Sequence, residues 1–194
     1  MIPTLNHPLG MPYGRHLQYL ECTGTQYIDT GVKPDYANGD RTEISFYRAS
    51  YPFYQPCAFG CRETVAVNGF YVLPLAISAN GASTRTEIHW KSIISDYTIA
   101  VDDNNITIDG AVHAAMPERV TCTVNMTLFA LLNGNGTIQA YYSGMKLYDW
   151  KYYRNGTLAQ HLIPVLDKSG VPCLYDTVTR TFKYNAGTGT FDYA

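Results

Sequence analysis

Charge is scarce in this sequence, since only 15% of its 194 residues are charged and the formal net charge is −2. Such a chain has no electrostatic attraction for a phosphate backbone, so we expect no nucleic-acid partner. No apolar run reaches the roughly 18 residues that a membrane-spanning helix needs, and we expect no membrane partner. Residues 1–4 lack a basic stretch and an apolar run, so no signal peptide is visible and folding in a cytoplasm is expected.

Motifs that commonly carry catalysis are also missing. The sequence has no Gly-x-Ser-x-Gly elbow and no phosphate-binding loop. None of its histidines stands two to four residues from another histidine or from a cysteine, so a local zinc signature is absent. We therefore expect a protein that is not an enzyme and that carries no cofactor.

The five cysteines cannot all pair within the chain, because their number is odd. Cys57 and Cys61 are the closest two in sequence, but on one extended strand they would lie about 13 Å apart, too far for a disulfide. We expect free thiols, which fits folding in a reducing cytoplasm.

Aromatic residues and turn signals are abundant, with 17 Tyr and 7 Phe in the chain. Gly, Asn and Asp turn signals recur about every 8 to 15 residues, a spacing typical of a β-sandwich. No window with helical periodicity exceeds about two turns. The pattern predicts one all-β domain of two antiparallel sheets. Strands are expected over 41–48 and 97–101, and the longest alternation, 120–132, is predicted to be a central strand pair.

The last quarter of the chain, 141–191, is predicted to form three strands joined by short turns. The first strand is predicted over 141–150, and Asn155-Gly156 provides a tight turn because this dipeptide tolerates positive φ. The second strand, 157–163, is expected to end at Pro164, since proline cannot donate to a sheet ladder. The closing Gly-Thr-Gly loop fits a chain end held against a sheet.

Several short motifs resemble one known family. They are Lys146-Leu147-Tyr148-Asp149, Gly156-Thr157-Leu158, Ile163-Pro164-Val165, Leu174-Tyr175-Asp176 and Asn185-Ala186-Gly187-Thr188-Gly189. Together with the opening stretch 19–31, they resemble the closing and first segments of the concanavalin A-like (LamG-like) jelly-roll family, which is frequent in tailed phages and gut bacteria. The resemblance spans roughly residues 17 to 192. It implies an antiparallel two-sheet jelly-roll sandwich over residues 17–194, preceded by an extended N-terminal arm, residues 1–16.

The resemblance implies a non-enzymatic virion structural or adhesion protein of a tailed phage, in the role of a capsid decoration, head-fibre or tail-fibre module. Its expected partners are other virion proteins and further copies of itself, with host or mucosal glycans in addition. It would fold in the host cytoplasm and end in the virion. The alternative is a carbohydrate-binding module of a gut bacterial surface protein at the bacterial cell surface, which requires an export signal.

The N-terminal arm is rich in proline and glycine and cannot form a helix. Its apolar side chains favour docking on a neighbouring subunit over a mobile terminus, because a solvated tail would not need them. These assembly residues are Ile2, Leu5, Leu9, Met11 and Tyr13.

Aromatic side chains around the Pro-containing loop 49–56 are the first candidates for ligand binding. They are Tyr47, Tyr51, Phe53 and Tyr54. Aromatic faces stack on sugar rings, and loops on a rigid sheet are common binding sites. A second aromatic group lies within 141–153. Ordinary packing inside the sandwich is the alternative explanation for both groups.

Two acidic patterns leave further alternatives open. Asp102, Asp103 and Asp109, together with Asn104 and Asn105, form the densest oxygen cluster and are a weak calcium candidate, although two successive hairpin turns are the preferred explanation. Glucanases of the wider jelly-roll class use Glu-x-Asp-x-x-Glu on one strand, and this chain lacks that spacing. A divergent glycoside hydrolase would need Glu43 and Glu87 to meet across strands.

Overall fold

The computed structural model describes residues 10–48, 57–64, 69–73, 76–79, 85–87, 95–116 and 118–194. Across these ranges the chain is all-β, as the sequence predicts, and its only helical segment is a 3₁₀ turn over Tyr36–Asn38. No helix within these ranges is long and apolar enough to cross a bilayer.

The strands are given in chain order. They are β1 (Arg15–His16), β2 (Leu20–Glu21), β3 (Ile28–Asp29), β4 (Arg41–Arg48), β5 (Phe59–Arg62), β6 (Gly69–Val72), β7 (Ala76–Ala79), β8 (Arg85–Glu87), β9 (Ser95–Val101), β10 (Asn105–Ile108), β11 (Ala111–Ala115), β12 (Thr127–Leu128), β13 (Ala130–Leu132), β14 (Ile138–Tyr141), β15 (Lys146–Arg154), β16 (Thr157–Leu166), β17 (Pro172–Asp176), β18 (Thr181–Lys183) and β19 (Asp192–Tyr193).

The larger sheet has the strand order β11-β10-β9-β4-β15-β16-β17-β18. Three short strands join this path from the side: β1 pairs with β16, β2 pairs with β15, and β19 pairs with β2. The second sheet has the order β3-β12-β5-β6-β7-β8, and β13 and β14 form a separate hairpin. All of these strand pairs are antiparallel.

The two large sheets bury one shared hydrophobic core. On β4, Ile44 and Phe46 are buried while the alternate residues remain half-exposed, because successive side chains of a strand point to opposite faces. Phe59 and Phe70 of the second sheet and Trp150 of β15 belong to the same cluster. This arrangement has the character of a β-sandwich. The outer face of the larger sheet is half-exposed on β4 and β15, while on β16 and β17 Val165, Cys173 and Tyr175 form a second buried cluster.

The predicted turn at Asn155-Gly156 is confirmed, and both residues have positive φ, at 48° and 76°. The prediction that Pro164 ends the next strand is wrong, since β16 continues through it to Leu166. Pro164 still contributes a carbonyl, which accepts a hydrogen bond from Leu17 N at 2.9 Å. Only a donor is lost at this position, so the strand tolerates the proline.

The predicted central strand pair over 120–132 is also wrong. The alternation is real, because Val120, Cys122 and Met126 are buried, but 118–126 contains only an isolated bridge. Its backbone bonds instead to the irregular segment 30–36; for example, Cys122 N donates to Pro34 O at 2.7 Å. Phe129, with φ of 67°, then separates β12 from β13, which belong to different sheets.

The cysteines differ from the expectation of five free thiols, because Cys61 and Cys122 form a disulfide. Cys61 lies on β5 and Cys122 in the segment 118–126, so only the folded chain brings the two together. Cys22, Cys57 and Cys173 are free and buried. Burial raises the pKa of all three thiols, that of Cys173 to about 12, which makes them poor nucleophiles.

The C-terminal part of the predicted arm lies on the chain's own sheet. The ring of Tyr13 packs 5.3 Å from that of Tyr175, and Gly14 N donates to Leu166 O at 2.9 Å. Strand β1 then pairs with β16, while Met11 is 50% exposed. The other assembly residues, Ile2, Leu5 and Leu9, lie outside the described residues.

Candidate functional site

A half-open cavity of about 250 Å³, lined by polar and charged residues, lies at the end of the larger sheet where β15 turns into β16. It is lined by Lys33, Asp35, Asn38, Asp40, Thr121, Arg154 and Asn155. We call it the Asp40 cavity. Three separate parts of the chain build it: the loop that enters β4, the β15–β16 turn, and the segment 118–126, which contributes Thr121.

Local hydrogen bonds fix the loop that enters β4. The carbonyl of Asp35 accepts from Asn38 N at 3.0 Å and from Asp40 N at 3.2 Å, which closes the 3₁₀ turn. Gly39 ends the turn in the left-handed region, with φ of 86°, where glycine is favoured. The turn therefore directs Asp40 inward at the start of β4.

Asp40 lies at the floor of the cavity and is only 2% exposed. Its Oδ2 accepts hydrogen bonds from Asp35 N at 2.7 Å and from the hydroxyl of Tyr152. Arg154 Nη2 donates to the same hydroxyl at 3.0 Å. Burial, together with the Asp40 carboxylate, raises the pKa of Tyr152 to about 12, so this hydroxyl keeps its proton and links the two charges.

Asp35, the second carboxylate of the cavity, is already fully engaged. Its Oδ2 accepts from Asn38 Nδ2 at 2.6 Å, and its Oδ1 accepts from Thr121 Oγ1 at 2.7 Å. These two hydrogen bonds, that of Asn38 first, lower the pKa of Asp35 because they favour its charged form. Asp35 is thus a structural group that holds the cavity wall together.

A second candidate surface lies on the outer face of the larger sheet, which we call the Tyr47 patch: Tyr19, Tyr47, Asp96, Lys146 and Tyr148. Lys146 Nζ lies 4.6 Å from the ring centre of Tyr19 and 5.4 Å from that of Tyr47. Tyr148 donates to Asp96 Oδ1 at 2.6 Å and meets Tyr19 edge to face at 6.5 Å. The three rings are half-exposed, so part of their apolar surface faces solvent beside two charges.

The patch contains one of the four predicted ligand-binding aromatics. Tyr47 stands on β4 opposite Lys146 and Asp96, and it is the last outward-facing residue before the loop 49–56. Tyr51, Phe53 and Tyr54 lie outside the described residues. Tyr148 comes from the second aromatic group of the sequence, so the fold joins members of both groups. Tyr19 was not predicted, because no sequence pattern links it to either.

A row of polar groups that the sequence did not predict crosses the same face of the sheet. His161 Nε2 lies 2.5 Å from Asp149 Oδ2, and Thr177 Oγ1 lies 3.2 Å from His161 Nδ1. Asp149 is shared with Lys151, whose Nζ lies 3.1 Å from Oδ1. The hydroxyl of Thr177, the imidazole of His161 and the carboxylate of Asp149 thus follow one another in space in the order of a catalytic Ser-His-Asp triad. Asp149 is also paired with Lys151, and Thr177 N donates to His161 O. We therefore interpret these groups as a structural link between neighbouring strands.

The weak calcium candidates are placed in two separate turns. Asp102 Oδ1 accepts from Asn104 N at 2.9 Å and Asn105 N at 2.7 Å, which is the turn before β10. Asp109 lies beyond β10, and its Oδ1 accepts from Thr98 N at 3.0 Å. Among the residues that the structure describes, no three acidic, histidine or cysteine side chains are grouped to hold a metal ion. The hydrogen bonds match the alternative of two hairpin turns.

The two glutamates considered for a glycoside hydrolase are not cross-strand neighbours. Glu43 lies on β4 of the larger sheet, where its Oε1 pairs with Arg41 Nη2 at 2.7 Å. Glu87 lies on β8 at the end of the second sheet. The meeting across adjacent strands that this hypothesis requires is therefore not found.

No protein-family model matches this chain, and no curated protein matches its sequence. The fold, the Asp40 cavity and the Tyr47 patch are therefore the features that bear on function.

Proposed function

We propose that this chain is a non-enzymatic virion protein of a tailed phage: a capsid decoration, head-fibre or tail-fibre module that binds host or mucosal glycans. Its sandwich would be a jelly roll of the concanavalin A-like (LamG-like) type. It would fold in the host cytoplasm and assemble with other virion proteins and with further copies of itself.

The arrangement of the chain ends supports the proposed jelly roll. The two stretches that carry the family resemblance lie at opposite ends of the sequence, yet β2 pairs with both β15 and β19. Nearby, Ala186 N donates to Tyr27 O at 2.9 Å. The first and closing segments thus form one continuous part of the fold, as they would in a member of that family.

The Tyr47 patch is the observation that carries the proposed glycan binding. Sugar rings present C–H faces that pack on aromatic rings, and hydroxyls that bind charged groups. The patch offers both on a rigid sheet, where ordering the site costs little conformational entropy. Lys146 holds two of the rings in place, so the surface is formed before a ligand arrives.

A glycan array with the purified protein tests this proposal. We expect Tyr47→Ala to lower retention on the bound glycans by at least about tenfold, or roughly 1.4 kcal/mol, because a stacking ring is removed. Tyr184→Ala is the matched control, since Tyr184 is more exposed than Tyr47, at 47%, but follows β18 at the far end of the sheet. An array that stays blank at millimolar sugar, or equal loss in both variants, would contradict glycan binding at this patch.

Electron microscopy of phage particles tests the assembly role. Removal of residues 1–12 leaves Tyr13 and β1 on the sheet, so the sandwich should still fold. We expect full-length protein to decorate particles and the truncated protein to be lost from them. Complete decoration by the truncated protein would remove the arm from the proposal.

The alternative, a carbohydrate-binding module of a gut bacterial surface protein, is favoured by one observation. The Cys61–Cys122 disulfide is of a kind that persists mainly in oxidising compartments such as the periplasm or cell surface. Surface labelling of intact cells separates the two hypotheses. Labelled protein on uninfected cells would support the bacterial module, and co-purification with particles would support the virion protein.

A further inference from the structure

We propose that the Asp40 cavity binds a single sugar unit that carries a carboxylate, a uronic-acid type of monosaccharide. This inference rests on the proposed function in one respect, namely that the ligands of the protein are sugars. It adds a second site, remote in sequence from the Tyr47 patch, and assigns it a ligand class.

The two cations of the Asp40 cavity have no direct ionic partner among the described residues. Among the described residues, neither Lys33 nor Arg154 has a carboxylate within ion-pair distance, although both line the cavity. The Asp35 carboxylate is occupied on both oxygens by Asn38 and Thr121. The cavity thus presents two cations that lack a direct ion pair, and one carboxylate of a ligand can bind both.

Arg154 is held in position for this role. Its guanidinium carbon lies 5.5 Å from the ring centre of Tyr152, and Nη2 donates to the hydroxyl of the same residue. The remaining guanidinium N–H groups stay available for a carboxylate, which arginine binds in a planar, two-bond geometry. Pre-positioning of the side chain lowers the entropy cost of binding.

Groups that suit hydroxyls lie in the same cavity. Oδ1 of Asp40 accepts no hydrogen bond from the described residues, although its residue is almost fully buried and its Oδ2 accepts two. The side chain of Asn155 likewise lies at the cavity wall, beside Gly39. A carboxylate oxygen next to an amide is a common acceptor and donor pair for neighbouring hydroxyls of a sugar.

Charge and size narrow the ligand class further. The four charged lining residues sum to zero, and the free Asp40 oxygen repels a second negative charge, so a singly charged carboxylate fits better than a doubly charged phosphate. A cavity of about 250 Å³ lies just below the roughly 300–1,000 Å³ of pockets for drug-sized ligands. It therefore matches one ring and not an oligosaccharide.

An NMR titration of the full ¹⁵N-labelled chain with glucuronate, glucose and glucose 6-phosphate tests the inference, at matched ionic strength. We expect glucuronate to bind with a Kd on the order of 1 mM and to shift the signals of Gly39 and the Asn38 and Asn155 side-chain amides. Glucose and the phosphate should bind at least about tenfold more weakly, and added salt should weaken glucuronate binding.

Arg154→Gln should reduce glucuronate affinity by about tenfold or more, which corresponds to the loss of a charge-assisted pair. Lys168→Gln removes the same charge at the opposite end of β16 and should leave the affinity unchanged. Arg154 is exposed, so its replacement should not unfold the chain, and unchanged signals elsewhere in the spectrum verify this.

The outcomes separate this inference from the proposed function. Equal binding of glucose and glucuronate, tighter binding of the phosphate, no binding at all, or an unchanged affinity in Arg154→Gln would overturn the cavity assignment. If neutral glycans on the array retain the protein in a Tyr47-dependent manner while glucuronate fails to bind, only the assignment of the cavity is wrong. If glucuronate binds and the array fails, the Tyr47 patch is lost instead.

Discussion

The hydroxyl of Tyr152 connects opposite charges beneath the Asp40 cavity. It donates to the buried carboxylate of Asp40 and accepts from Arg154. Without the hydroxyl, the buried Oδ2 of Asp40 would keep only the hydrogen bond from Asp35 N, and losing a hydrogen bond to a buried charged group costs about 1–3 kcal/mol. We expect Tyr152→Phe to lower the free energy of unfolding by this amount.

Urea unfolding at pH 7 measures this effect, and the neighbouring residue provides the control. Tyr153 points to the other face of β15, and its hydroxyl lies 3.5 Å from Glu43 Oε2, at the limit of a hydrogen bond. Tyr153→Phe should change stability by less than about 0.5 kcal/mol. Equal effects of the two substitutions would show that the link to Asp40 contributes nothing.

Single residues also explain why the sequence predicts only part of the candidate site. Tyr47 could be selected because aromatics cluster near it in the sequence. Asp40 and Arg154 could not, because they are more than a hundred positions apart and meet only when β4 and β15 pair. The only local sequence signals near the cavity are Asn38-Gly39 and Asn155-Gly156, and an Asn-Gly pair predicts a turn but not a binding site.

At the scale of elements, the carboxylate of Asp176 organises the turn between β17 and β18. Its oxygens accept from Thr179 Oγ1 at 2.6 Å, from Val178 N at 3.0 Å and from His161 N at 3.1 Å. Burial alone would raise the pKa of Asp176, but these hydrogen bonds outweigh it and lower the pKa below its ordinary value of 3.8.

This lowered pKa makes stability depend on acid. The charged form is favoured in the folded state, so its contribution is complete well above pH 3.8 and is lost as the pH falls through that value and below. We expect the unfolding free energy to drop from about pH 5 downward. Asp176→Asn should lower stability at pH 7 by roughly 1–3 kcal/mol and flatten this acid dependence.

Urea unfolding curves between pH 7 and pH 2.5 give the measurement. Asp192→Asn, an exposed carboxylate on β19, should keep both the stability and the acid dependence of the wild type. If the unfolding free energy of Asp176→Asn changed with pH in parallel with that of the wild type, this carboxylate would have no role in acid unfolding.

Elements with strictly alternating side chains and clear turns could be predicted, and those whose register depends on a bulge could not. The strand predicted over 41–48 agrees with β4 at both ends. In the β15–β16 hairpin, a register shift at Tyr152–Tyr153 places His161 opposite Lys151 and not opposite the buried Trp150. No residue type in the sequence announces that shift, so the His161–Asp149 contact could not be predicted.

At the scale of the whole molecule, a disulfide joins the second sheet to the segment 118–126, whose apolar side chains belong to the core. The Cys61–Cys122 disulfide closes a loop of 61 residues. Loop-closure entropy for that length corresponds to about 4 kcal/mol at most, and measured values are often lower. We expect reductant to lower the free energy of unfolding by about 2–4 kcal/mol.

Thiol titration in denaturant without reductant should find three thiols, those of the free cysteines. Urea unfolding with and without reductant then measures the stability difference. The double variant Cys61→Ala/Cys122→Ala is the control, because its stability should not respond to reductant. Five reactive thiols in the purified protein would contradict the disulfide.

The pairing of β4 with β15 also determines when the protein can fold during synthesis. Tyr47 pairs with Lys146, so the middle of the larger sheet joins residues roughly a hundred positions apart. A ribosome releases β4 long before β15 is synthesised, and strand pairing over such a separation in sequence is slow. Nascent chains therefore carry β4 without β15 for most of translation, and only its other neighbour, β9, emerges midway. We expect chaperone supply and translation speed to affect the yield of folded protein.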